Sequence, residues 1–209
     1  MIERLAIDFA RFGSRQGSHT RALMNGSEDL IERARAGDQE AFRLIFERYS
    51  RPVLGFIYDL VSQRDLAEEL TQETFVRAYR KLHELRDDAK FSTWLFGIGR
   101  NVAREALRLR RRDNQNLSND HDFAPQHEDT GNLSPADQLL GKELNLTVAA
   151  ALRALDEDKR VVFALKTFHQ RSYHEIAEIT GFSLAKVKID LHRARVEMRR
   201  RIRPYLETR

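Results

Sequence analysis

Apolar residues in this chain recur three and four positions apart, and stretches alternating with period two are scarce, which predicts an all-α protein. A first group of stripes falls between residues 28 and 112. Gly37 and Asp38 can end one short helix and cap the next, which carries Phe42, Ile45, Phe46 and Tyr49 on one face. Pro52 suits the first turn of a further helix bearing Val53, Phe56, Ile57 and Leu60. After the polar Ser62, Gln63 and Arg64, a longer helix spaces Leu66, Leu70, Thr74, Ala78 and Leu82 four apart. Beyond the polar turn from Arg86 to Lys90, Ser92 is placed to cap a helix reaching about Arg112, with Phe91 and Phe96 at hydrophobic-staple positions. Its predicted buried stripe is Leu95, Ile98, Val102, Ala106 and Leu109.

The pattern then breaks. Residues 113–137 hold six acidic residues, no Lys or Arg, and two prolines, so this segment cannot bury enough apolar surface to fold alone and reads as an acidic flexible linker. Helical spacing resumes with Leu140, Leu144, Val148, Ala151, Leu152 and Leu155, then with Val161, Val162, Leu165 and Phe168. The chain therefore divides into two small helical bundles, residues 28–112 and 138–206, joined by that linker. Residues 1–27 form an N-terminal extension, expected to be flexible, with a short amphipathic pattern at Ile2, Leu5, Ala6 and Phe9; Met24 within it is an alternative start.

In the second bundle, Ser172 and Glu175 have capping-box spacing, and the helix they open ends at Thr180 and Gly181. Ser183 can start another helix two residues later. A turn that short forces a sharp bend, the helix-turn-helix arrangement. At 100° per residue, Leu184, Val187, Leu191, Ala194 and Met198 share one face, while Ala185, Ile189 and His192 point the other way, flanked by Lys186, Lys188 and Arg193. Such a face suits a major groove: the cations reach phosphates or guanine edges, and Ala185 or Ile189 meets a thymine methyl.

On the helix opened near Ser92, the side opposite the apolar stripe carries Gly97, Arg100, Arg104, Arg108 and Arg111. Six arginines and a single acid, Glu105, lie between residues 100 and 112, which points to an anionic partner and salt-dependent binding. Trp94, at the start of this helix, is open to two readings: core packing, or stacking on an unpaired base.

Total charge changes the picture little, at +4 over 209 residues, so its arrangement matters more than its sum. The absence of cysteine excludes disulfides, thiolate metal sites and a Cys nucleophile. No apolar run approaches the roughly 20 residues of a membrane span, and Glu3, Arg4, Asp8 and Arg11 interrupt any signal-peptide core. A soluble cytoplasmic protein is expected. His174 and Glu175 resemble the start of a zinc-protease signature, but Glu178 occupies the place of the second His; no catalytic, metal or cofactor site is expected.

Three stretches together resemble the extracytoplasmic-function group of bacterial sigma-70 factors: Asp65 to Phe75, Phe91 to Asn101, and Tyr173 to Arg195. The resemblance covers about residues 28–112 and 138–203, in the family's order, as sigma regions 2 and 4. It implies a non-catalytic specificity subunit that binds core RNA polymerase, reads promoter DNA and helps open it. Asp65, Glu68, Glu69, Gln72 and Glu73 would face the clamp helices of the β′ subunit, and the β flap is a further expected polymerase contact. Asp87, Asp88, Lys90, Phe91 and Trp94 would lie near the -10 element, with Arg100, Asn101, Arg104 and Arg108 along the adjoining duplex. Ser183, Ala185, Lys186, Lys188, Ile189, His192 and Arg193 would read the -35 element.

The resemblance also implies an anti-sigma partner, often membrane-anchored. The reading helix departs from the common pattern at Ala185-Lys186 and at Ile189-Asp190, where Asp190 weakens phosphate attraction but is able to accept from cytosine N4 if it reaches a base. The alternative is a stand-alone helix-turn-helix regulator whose first bundle dimerises or senses an effector. The acidic helix at 65–73 followed by an arginine face argues against it, since a sensor needs neither.

Overall fold

The computed structural model describes residues 28–114 and 145–207, and among them it contains eight α-helices, two short 3-10 turns and no strand. The N-terminal extension, Met24, Leu140, Leu144 and nearly all of the acidic linker lie outside the described residues.

The first unit is built from α1 (Glu28–Arg35), α2 (Gln39–Val61), α3 (Arg64–Lys81) and α4 (Phe91–Asn114). Gly37 takes a positive φ of 97°, and Asp38 caps α2 by accepting from the backbone N–H of Glu40 and Ala41 at 2.9 and 3.1 Å. Arg33 also binds the Asp38 carboxylate, and that hydrogen bond, helped by the cap, holds the acid below its usual range. Pro52 does not open a new helix: α2 runs through it without interruption. Ile45, Tyr49, Val53, Phe56, Ile57 and Leu60 form one continuous buried stripe across the proline. Each such side chain contributes about 1.5–3 kcal/mol on burial, and together they outweigh the roughly 3 kcal/mol that an interior proline costs.

The start of α4 also differs from expectation. Asp87 accepts from the Ala89 N–H and caps a 3-10 turn, Asp88–Lys90, which feeds straight into α4 at Phe91. Ser92 is thus inside the first helical turn, buried, with its hydroxyl engaged elsewhere. Phe91 and Phe96 are both core residues, with Phe91 edge-on to Tyr49 at 5.2 Å. Gly99 of α4 faces Ile57 and Thr74, and a Cβ there would stand 3.6 Å from both, an ordinary contact. Leu109 is 53% exposed, because α4 has by then run past the end of the bundle.

In the second unit, residues 145–153 form α5, followed by α6 (Glu157–Thr167), α7 (Tyr173–Thr180) and α8 (Leu184–Glu207). Val148, Leu152, Leu155, Val161, Val162 and Leu165 are buried as their spacing predicts. The capping box forms in both directions: Ser172 N–H donates to Glu175 at 2.8 Å, and Glu175 N–H to the Ser172 hydroxyl at 3.2 Å. Gly181 adopts φ 71° and closes α7 through a 2.8 Å bond to the Ala177 carbonyl. Ser183 then opens α8, its hydroxyl accepting from Lys186 N–H and its carbonyl from Val187 N–H.

The two units pack against each other, α6 on α2 and α7 on α4. Arg160 donates to the Leu60 carbonyl at 2.8 Å. Gln170, with φ 52°, turns the α6–α7 loop so that His169 and Arg171 both enter the seam. His169 lies 3.0 Å from the Asp59 carboxylate and sits edge-on to Phe56 and Phe96. Its ring is buried between the two units and does not face DNA. Arg171, 2% exposed, donates to Ser92 at 2.6 Å and to Glu175 at 3.0 Å, and lies 4.3 Å over the Phe96 ring. Its Nε has no partner.

Candidate nucleic-acid interface

α8 presents the expected two faces. Val187, Leu191, Ala194 and Met198 are buried, which anchors the helix so that Ser183, Ala185, Lys188, Ile189, His192 and Arg193 are exposed, Ile189 by half. Lys186 departs from this set. Its ammonium lies 2.6 Å from Asp190 and 2.9 Å from Asp158 of α6, 4.4 Å over the Phe182 ring. The hydrogen bonds it donates to these two carboxylates raise its pKa, that to Asp190 most. Asp190 itself is buried and consumed by this pair, so it does not point at a base edge as its sequence position allowed.

Along α4, Asn101, Arg104 and Arg108 are exposed and Arg100 is partly buried. Helical spacing does align them, but the row is not bare. Arg104 and Arg111 stand 3.5 and 3.4 Å from the Glu157 carboxylate in the first turn of α6, and Arg100 lies 5.4 Å from the Phe182 ring. Burial, with Arg104 nearby, pulls the Arg100 pKa below its ordinary value. Leu60, Arg100, Arg104, Arg111, Glu157 and Arg160 are among the residues lining a narrow cleft between α4 and α6.

Residues assigned to the -10 element divide. Asp87 and Lys90 are exposed, and Lys90 is paired with Glu178 of α7 at 2.8 Å, whose hydrogen bond raises its pKa. Asp88 is held by Arg35. Phe91 is 1% exposed and is unavailable to any base while the core is intact. Trp94 is partly buried against the core, 5.8 Å from the Phe91 ring; it combines packing with a partly open surface.

On α3, Asp65, Glu68, Glu69 and Gln72 are exposed and Glu73 partly so. Glu68 and Glu73 are bridged to Arg64 and Arg77 one turn away, at 2.9 and 2.7 Å. Sequence reasoning missed the continuation of this face: Val76 and Tyr79 are 42% and 48% exposed, one and two turns beyond Gln72, with Phe46 of α2 exposed beside Phe75. The 3–4 spacing from Gln72 to Val76 to Tyr79 is the signal that identifies them.

Two family models match the chain: Sigma-70 region 2 over residues 45–113 and Sigma-70 region 4 over residues 146–198. The RNA polymerase sigma-H factor of Pseudomonas aeruginosa is 32% identical over 183 residues, covering 86% of this chain and 95% of that protein. The ECF RNA polymerase sigma-E factor of Haemophilus influenzae is 31% identical over 183 residues, covering 85% and 95%. Among solved structures, the fold matches the sigma factor RpoE of Bartonella quintana, in complex with the anti-sigma factor NepR, with TM-score 0.66 and 24% identity over 78% of this chain and 96% of that one. It also matches CnrH in complex with the cytosolic domain of CnrY, with TM-score 0.61 and 24% identity over 82% and 94%.

The chain is a two-region transcription initiation factor of the sigma-70 type. It belongs to the extracytoplasmic-function group of that family, the alternative sigma factors that direct RNA polymerase to promoters, and it is not a stand-alone helix-turn-helix regulator.

Proposed function

We propose that this sigma factor divides its work among three surfaces. The exposed face of α8 reads the -35 element: Lys188 and Arg193 bind phosphate or guanine, while Ala185, Ile189 and His192 meet base edges. Arg100, Asn101, Arg104 and Arg108 of α4 track the duplex beside the -10 element, and Trp94, Asp87 and Lys90 lie near the base that leaves the stack. Asp65, Glu68, Glu69, Gln72 and Glu73, extended by Val76 and Tyr79, dock on the polymerase clamp helices. An exposed apolar patch at Val76 and Tyr79 beside a row of acids matches the apolar centre and polar rim of a protein interface.

The observation carrying this reading is the tight Gly181 turn, which buries one face of α8 and leaves the opposite, basic face open. Two modest DNA contacts suffice because one rigid polymerase holds both units at promoter spacing. The protein supplies no catalytic group of its own. It works where core RNA polymerase does, in the cytoplasm; among the described residues no helix is long and apolar enough to cross a membrane. An anti-sigma protein restrains it, by analogy with the sigma and anti-sigma complexes it resembles in fold.

The test is in vitro transcription with purified core polymerase on a promoter panel. Lys188→Ala with Arg193→Ala should abolish -35-dependent initiation and lower the salt slope of promoter binding by about 2, while core association persists. Unchanged initiation by that variant would refute the assignment of α8.

A further inference from the structure

Four arginines border the cleft between α4 and α6, and little in the protein balances them. Arg100, Arg104 and Arg111 follow at helical spacing along α4, and Arg160 of α6 lines the same cleft. Arg160 donates to the carbonyls of Leu60, Arg153 and Leu155 at 2.8, 2.7 and 3.0 Å, and its buried Nε has no partner. Arg100 is set against the Phe182 ring. Both are partly buried, and burial lowers the pKa of each, with Arg104 adding to the effect on Arg100 and Arg111 to that on Arg160. Two carboxylates share the lining. Asp158 is engaged by Lys186 at 2.9 Å, and Glu157 stands 3.5 and 3.4 Å from Arg104 and Arg111. Those two contacts are longer than the roughly 2.7–2.9 Å of a charge-assisted hydrogen bond.

Cations drawn out of water without a close counter-ion are unfavourable, and an anion entering among them relieves that cost. The rest of the lining is Leu60, Leu107 and Val161, so the guanidinium groups are what a ligand would meet. The cleft offers about 40 Å³. One water needs about 10–15 Å³ on this measure, so the space suits about three waters or one phosphoryl group. A phosphate within a nucleic-acid strand carries a sugar on either side and is too large to enter. A free phosphate ion, or a phosphoryl group at the end of a small molecule, has no such obstacle.

We propose that this cleft is a binding site for a phosphate-sized dianion, either inorganic phosphate or the terminal phosphoryl group of a nucleotide, held by Arg100, Arg104 and Arg111 from one unit and Arg160 from the other. Planar guanidinium forks match the oxygens of such an anion, and four converging donors give it more than a single surface arginine does. The bound dianion bridges α4 and α6, and its affinity for the folded chain appears as added stability.

The test titrates the full-length protein with sodium phosphate, against sodium chloride at matched ionic strength, by calorimetry and thermal melting. Phosphate should raise the melting temperature saturably, by about 3–6 °C at tenfold above its Kd. Adenosine monophosphate separates the two sources: tighter binding than phosphate assigns the site to a nucleotide, equal or weaker binding to the free ion. Dimethyl phosphate, a diester with one charge, should bind more weakly than phosphate by about tenfold. Arg111→Gln removes an exposed guanidinium that lies outside the set assigned to DNA and should weaken phosphate by about tenfold. Arg160→Gln should weaken it further; if circular dichroism shows that variant unfolded, Arg111→Gln decides. Glu157→Gln should lose stability in chloride and recover it in phosphate, the dianion taking the carboxylate's place beside Arg104 and Arg111. Equal stabilisation by chloride and phosphate, or a phosphate affinity unmoved by Arg111→Gln, overturns the proposal. Dimethyl phosphate binding as tightly as phosphate overturns it too, and makes the cleft part of the DNA track.

Discussion

Ser92→Ala tests the seam at its most buried point. The wild-type hydroxyl accepts from Arg171 Nη2 at 2.6 Å, and the guanidinium is almost wholly enclosed with its Nε already unpartnered. Losing that acceptor leaves a second buried donor of a charged group unsatisfied. A hydrogen bond to a charged group contributes about 1.5–3 kcal/mol, so docking should weaken by about tenfold to a hundredfold. The first unit alone should not suffer. Ser92 lies inside the first turn of α4, where Ala has the higher helix propensity by a few tenths of a kcal/mol. Separation also returns Arg171 to water, which caps the penalty at the cost of undocking. The assay pairs inter-unit distance measurement on the full chain with thermal unfolding followed by circular dichroism. The expected result is a longer mean distance with helicity retained. If Ser92→Ala kept the distance and lowered the unfolding temperature of the whole chain, Arg171 would be a fixed part of one core, and the division into two separately folded units would fail.

Three further outcomes follow from the second unit. Gly181→Ala should destabilise the helix-turn-helix by about 1–2 kcal/mol, purely through backbone strain at φ 71°, since a Cβ there meets nothing within 4 Å; Gly181→Asn should lose less, and chemical denaturation reads both. Leu191→Ala empties a site 1% exposed beneath the reading helix and should cost about 2–5 kcal/mol, with promoter binding lost before polymerase binding, as measured by melting and gel shift. Burial pushes the Glu175 carboxyl up, but hydrogen bonds from Ser172 and Arg171 outweigh it, leaving its pKa below the ordinary value. A depressed carboxylate contributes stability that is present above its unfolded pKa and lost as pH falls through the folded one. The Glu175→Gln protein should therefore be less stable than wild type at neutral pH and lose less stability on acidification below about 4.5; parallel pH–melting curves for the two proteins would contradict this.

Much of the fold was legible because helix stripes and caps are local. The Asp38 cap, the Ser172 and Glu175 box and the Gly181 turn depend on residues within four positions of each other, and all three form as their spacing predicts. Pro52 and Ser92 misled for the same reason: each has a strong local preference that tertiary burial overrides. Leu109 continued a perfect stripe, but periodicity does not say where the neighbouring helices end. The assigned surfaces show the same limit. Spacing placed Arg100, Arg104 and Arg108 in one row, yet nothing local reveals that Glu157, far along the chain, closes on it at Arg104. His169 and Arg171 lie in the loop between α6 and α7, where no periodicity marks them, and only the packing of two units around Gln170 buries them.

The placement of three consecutive acids at the head of α6 has a genetic consequence. Asp156, Glu157 and Asp158 belong to none of the surfaces assigned to promoter or polymerase. A single codon change at Glu157 should therefore loosen the packing of α6 on α4 while leaving every assigned contact residue in place, so a suppressor screen reads the seam separately from recognition.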